Sequence, residues 1–132
     1  MSADTPRVFV DTNVLVYAHD SSSGEKRSIA RDLLRGLWLD GSGCLSVQVL
    51  QEFYLTVTRR ISQPLAGPEA LAIVHDLAAW TMHTPDASDV ETAIRLHQAR
   101  QLSFWDAMLV HSALRLRYSI LWTEDLQDVQ QI

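Results

Sequence analysis

Four acidic residues set the chemistry open to this chain. Asp11 directly follows the apolar run Val8-Phe9-Val10, and Glu52 lies inside an amphipathic stretch. Asp106 comes three residues after Ser103, and Asp125 follows Ile120-Leu121-Trp122. Carboxylates gathered in one cleft repel one another unless protons or cations neutralise them. Magnesium suits such a donor set, because it is a hard cation that binds through one or two carboxylates, waters and a substrate phosphate. A site of that kind holds and polarises a phosphodiester and activates water to attack it at neutral pH.

Whether the acids meet depends on the elements that carry them. Val8 to Val10 reads as a strand covered on both faces, Asn13 to Tyr17 as a short helical turn, and His19 to Gly24 as a polar loop. Ile29, Leu33, Leu34 and Leu37 have helical spacing that stops at Asp40-Gly41. Cys44-Leu45-Ser46 predicts a second strand, and Val47, Leu50, Phe53, Tyr54 and Val57 predict a helix with one apolar face. Glu52 is about 100° around that helix from Phe53, at the edge of the packed stripe. Pro64 to Pro68 breaks the chain before another helix through Leu71, Val74 and Ala78; Trp80 to Thr84 suggests a third strand. Asp86 and Ser88 supply caps for a helix through Ala93 and His97. A further helix follows Ser103, and Ser119 to Trp122 is the fourth strand.

Strands alternating with helices predict an α/β fold: a central, mainly parallel sheet of four to five strands flanked by helices. In such a sheet ligands bind outside the carboxyl ends of the strands. Asp11 and Asp125 stand there directly. Asp106 joins them if its helix starts at that edge, and Glu52 can reach it from the helix after strand two. Each acid also has a purely structural reading. Asp11 fits an Asx turn, Glu52 a solvated helix face, Glu124 and Asp125 a surface turn, and Asp106 the capping pattern Ser103-Phe-Trp-Asp106.

The chain has 132 residues, 47% hydrophobic and 20% charged, which fits a single domain over 1–132 with residues 1–6 as a short N-terminal tail. No run qualifies as a secretory signal or membrane span, so a cytoplasmic protein is expected. Cys44, the sole cysteine, reads as a small core residue. The net charge of -5 is the wrong sign for holding nucleic acid by broad phosphate neutralisation. Nucleic-acid chemistry here needs bound cations or local arginines, and Arg59-Arg60 and Arg115/Arg117 are candidates for the latter, although solvated helix faces explain them equally well.

Arg7-Val-Phe-Val-Asp11-Thr12-Asn13-Val-Leu-Val-Tyr-Ala resembles the opening motif of PIN-domain nucleases. Ser46-Val-Gln-Val-Leu-Gln-Glu52-Phe-Tyr resembles the second acidic motif of that family, Leu102-Ser-Phe-Trp-Asp106-Ala-Met the third, and Leu121-Trp-Thr123-Glu124-Asp125-Leu-Gln-Asp128 the last. The chain closely resembles the VapC-type branch, small toxins of toxin–antitoxin pairs. The resemblance implies an RNA-cleaving enzyme using Mg2+, with Mn2+ as a substitute. It implies Asp11 and Asp106 as the leading metal ligands, Glu52 as a ligand or a holder of metal-bound water, and Asp125 as a contributor to a second metal position or to the nucleophile. Thr12, Asn13 and Thr123 would hydrogen-bond the carboxylates. It further implies an RNA substrate, a cognate antitoxin whose C-terminal segment blocks the cleft, and a homodimer. Many relatives continue into a further strand, so with the last residue at Ile132 either a shorter sheet edge or a truncated chain is expected.

The remaining signals are weaker. The five histidines show no metal-ligand spacing, and His19 reads as a loop residue. The four tryptophans sit mostly at core spacing, with Trp105, beside Asp106, placed to stack on a base. Two enzyme classes that also put an aspartate after an apolar strand fit less well: Asp11-Thr-Asn lacks the second aspartate of haloacid-dehalogenase phosphotransferases, and no receiver-like lysine follows a later strand. The alternative from another class is a catalytically silent PIN-fold module that binds RNA or protein.

Overall fold

The computed structural model describes residues 7–116 and, as backbone only, 120–122 and 128–130. The tail 1–6 and the expected site residues Thr123, Glu124 and Asp125 lie outside the described residues. The order is β1 (Val8–Val10), α1 (Thr12–His19), α2 (Glu25–Asp40), β2 (Gly43–Ser46), α3 (Val47–Arg59), α4 (Gly67–Leu77), β3 (Thr81–His83), α5 (Ala87–Arg100), α6 (Phe104–Arg115), β4 (Ile120–Trp122) and β5 (Asp128–Gln130).

Local chemistry sets most of these boundaries. Asp11 caps α1 by accepting from Thr12 N–H, and Ser46 caps α3 by accepting from Val49 N–H. α2 stops where Gly41 takes a left-handed conformation, φ 70°, which costs glycine little. Pro68 occupies the first turn of α4, where its missing N–H is not needed. Asp86 and Asp89 form a reciprocal capping box at the start of α5.

The sheet order is β3-β2-β1-β4-β5, parallel throughout except for β5, which pairs antiparallel with β4. The five strands fall within the expected four to five, with β5 as a further strand at the edge beyond β4. From β1 the chain moves to β2 and β3 on one side and later to β4 on the other. That reversal opens a crevice beyond the carboxyl end of β1, where Asp11 stands.

β1 and β2 are buried along their length, and Phe9, Leu15, Leu45, Val49 and Phe53 fill the centre of the core. Cys44 is buried among them, and burial pushes its thiol up to about 12, in keeping with a core role. α2 packs through Ala30, Leu34 and Leu37, while Ile29 is exposed, one position off the buried stripe. Among the tryptophans with described side chains, Trp80 is buried and Trp105 is exposed, whereas Trp38 departs from its core spacing and is exposed. Sequence spacing marks a helical face, whereas only the neighbouring layers decide whether that face is covered.

β2 must begin with glycine for a packing reason. A Cβ at Gly43 would meet the Trp80 ring at 2.5 Å, closer than any tolerable contact. Gly43→Ala is expected to cost about 1–3 kcal/mol, read as a lower urea midpoint at unchanged slope.

Candidate active site

Three of the four acids expected from sequence reach one cavity. Asp11, Glu52 and Asp106 line it together with Thr12, Asn13, Arg60 and Trp105, around a volume of about 440 Å³. Each acid arrives by a different route. Asp11 sits where β1 passes into α1. Glu52 projects from the second turn of α3, which starts at the carboxyl end of β2. Asp106 lies in the first turn of α6, and because α6 leads back to the start of the parallel strand β4, its own N-terminus lies at the carboxyl edge.

Asp11 and Glu52 are held by hydrogen bonds. Asp11 Oδ1 accepts from Thr12 N–H at 2.6 Å. Thr12 Oγ1 donates to Glu52 Oε2 at 2.9 Å, joining α1 to α3, and Gln48 Nε2 donates to Glu52 Oε1 at 3.3 Å. Thr12 thus touches both carboxylates. Glu52 is half-buried and bonded rather than simply solvated. At α6, Ser103 Oγ accepts from Asp106 N–H at 3.0 Å, so the capping pattern is used through the backbone of Asp106 while its side chain lines the cavity.

Among the described residues the donor set is made of hard oxygens, with no cysteine or histidine in the lining, which suits magnesium or manganese better than zinc. Among the described residues no three His, Cys, Asp or Glu side chains are grouped so as to hold an ion by themselves. The acids face an open space, which fits a cation that keeps most of its waters and takes only one or two carboxylates. Arg60, at the end of α3, is the cation of the cavity wall among the described residues and was ambiguous in sequence; its place at a helix C-terminus gave no local sign of it.

His19 does not enter this site. It ends α1, packs edge-on against Phe53 at 5.6 Å and lines a separate cavity with Arg31 and Trp38. Burial and the nearby Arg31 lower its pKa. The expected loop position is corrected, since α1 runs two residues past Tyr17, where its apolar pattern stopped.

Sequence reading missed a second polar group altogether. Asp89, 6% exposed, accepts from His111 Nε2 at 2.7 Å and lies 3.2 Å from His83 Nε2, while His83 Nδ1 bonds Ser112 Oγ at 2.7 Å. These residues come from β3, α5 and α6, and Ser112 is buried inside α6, so the group clamps elements together. Histidines 28 positions apart carry no spacing signal; the capping box at Asp86 and Asp89 was the only visible trace.

Among the described residues no helix is long and apolar enough to cross a membrane. No match to the chain is found among curated protein sequences. Among solved structures the chain is similar to the Mycobacterium tuberculosis VapC20 toxin, described as cleaving the sarcin-ricin loop, with TM-score 0.66, 19% identity and 88% of each chain covered. At that identity the likeness bears on the fold. The family model described as PIN domain matches residues 8–129, a span that includes Asp11, Glu52, Asp106 and Asp125. With the β3-β2-β1-β4 parallel order and three acids at its carboxyl edge, this shows that the chain belongs to the PIN-domain family.

Proposed function

We propose that this chain is a magnesium-dependent endoribonuclease acting in the cytoplasm as the toxin of a toxin–antitoxin pair. The observation that carries the reading is the meeting of Asp11, Glu52 and Asp106, from three separate elements, with Arg60 in one open cavity. Family membership and the likeness in fold to a toxin described as cutting a ribosomal RNA loop support it.

Asp11 and Asp106 would hold Mg2+, or Mn2+ in its place, with Glu52 as a further ligand or a holder of water and Asp125 at a second metal position or orienting the nucleophile, while Thr12, Asn13 and Thr123 would hydrogen-bond the carboxylates. A cation bound there would supply positive charge to the phosphodiester and acidify water at the site. The residues do the positioning. Thr12 and Gln48 fix the Glu52 carboxylate, the Asp11 side chain is fixed by the start of α1, and Arg60 attracts an RNA phosphate into a cavity that is otherwise acidic. The same acidity is what an antitoxin segment carrying an arginine would recognise, and a homodimer would be the working assembly.

The test is incubation of the chain with total bacterial RNA and mapping of new RNA ends. Cleavage in Mg2+ is expected to disappear with chelator, return with Mg2+ or Mn2+, and fall by about 10²-fold or more in Asp106→Asn. Cleavage that persists in chelator, or in the variant at the parent rate, would sink the reading.

A further inference from the structure

A second cavity of about 470 Å³ adjoins the acidic one and shares Glu52, Leu55 and Trp105 with it. Its size falls in the range of about 300–1,000 Å³ typical of small-ligand sites. Three features give it a chemical character. Trp105 is 56% exposed, an unusual cost for a tryptophan, and stands next to Asp106 at the start of α6. Phe104 packs against it at 5.4 Å with the rings tilted, which braces the indole from one side. Gln48, only 6% exposed, donates its Nε2 to Glu52, and its Oε1 is a buried acceptor with no hydrogen-bond partner. Leaving a buried acceptor unsatisfied is unfavourable, and a donor entering the cavity would recover part of that cost.

A flat aromatic wall, amides from Gln48 and Gln51, and direct continuity with a site that would hold a phosphodiester match one kind of ligand. We propose that this second cavity is a subsite for the base of an unpaired RNA nucleotide next to the scissile phosphate, with Trp105 as its stacking platform and the Gln48 and Gln51 amides at its polar edge. The proposal rests on the ribonuclease reading and deepens it. A base inside an A-form duplex is stacked on both faces and cannot enter, so substrate sites are confined to loops, bulges and single strands. Exposed Tyr54 and Leu55 extend the apolar wall beside Trp105.

The test compares the full-length parent, Trp105→Ala and Trp105→Phe on total bacterial RNA, following the rate of new ends against RNA concentration. Because stacking on one aromatic side chain is worth ~1–3 kcal/mol, Trp105→Ala is expected to lower kcat/KM roughly 5- to 150-fold, carried mainly by KM. Trp105→Phe should restore most of the loss, and the parent's cut sites should map to unpaired nucleotides. The proposal is overturned if Trp105→Ala stays within twofold of the parent, if phenylalanine restores nothing, or if the sites fall within continuous duplex. It is equally overturned if Trp105→Ala converts a dimer to a monomer in sedimentation with kcat/KM unchanged, since the surface then belongs to a second copy. A parent that cuts no RNA overturns the ribonuclease reading as well, whereas a parent that cuts while Trp105→Ala cuts equally well removes the base subsite alone.

Discussion

Asp11→Asn is expected to lower RNA cleavage by roughly 10²- to 10³-fold while leaving the fold intact. The separation of the two effects follows from the double duty of this side chain. Its oxygen caps α1 by accepting from Thr12 N–H, and asparagine caps helices as well as aspartate does. What asparagine cannot supply is the negative charge at the carboxyl end of β1 that a divalent cation requires. The variant should therefore melt within a few degrees of the parent and show greatly weakened Mg2+ uptake by calorimetry. Asp11→Ala, in contrast, removes cap and charge together and should lose about 1 kcal/mol of stability as well. Full activity in Asp11→Asn would remove Asp11 from the site.

Asp89→Ala is expected to show the opposite pattern, a loss of about 2–3 kcal/mol in stability. The carboxylate accepts from the Asp86 backbone N–H at 2.9 Å and from His111 at 2.7 Å, with His83 at 3.2 Å and Arg115 Nε at 3.7 Å. Alanine opens the capping box and leaves both histidines without their shared acceptor, loosening the junction of β3, α5 and α6. The dependence on pH has a definite sign. The Asp86 N–H bond first, then the His111 bond, hold the Asp89 carboxyl below its ordinary range. Its contribution is therefore fully present above the unfolded carboxylate value of about 3.9 and is lost as pH falls through the lower folded value. Thermal melts of parent and variant should stay apart at neutral pH and converge only below about pH 4. A gap that is constant down to strongly acidic pH would show that the carboxylate charge contributes nothing to the clamp.

The clamp also connects stability to the proposed chemistry. His111 and Ser112 sit on the same helix as Asp106, one to two turns further along, so the group that ties α6 to β3 and α5 also fixes where Asp106 meets the cavity. Loosening it should reduce activity through position rather than through loss of a group that touches RNA.

The sequence by itself determined the alternation of strands and helices, most element boundaries, and the candidacy of Asp11, Glu52 and Asp106. These are matters of local physics. Gly41, Asp86 and Ser103 act on backbone groups within a few residues of themselves, and apolar periodicity reports a helix or strand without reference to the rest of the chain. Only the tertiary structure decided that Thr12 would bond Glu52 across 40 positions, that Arg60 would border the acids, and that Trp80 would lie over Gly43. It alone decided that His83 and His111 would share Asp89 and that Trp38 would stand exposed. Each of these depends on the strand order β3-β2-β1-β4 and on which helix faces the layers cover, and contacts set by that order join residues whose separation in the chain carries no periodic signal.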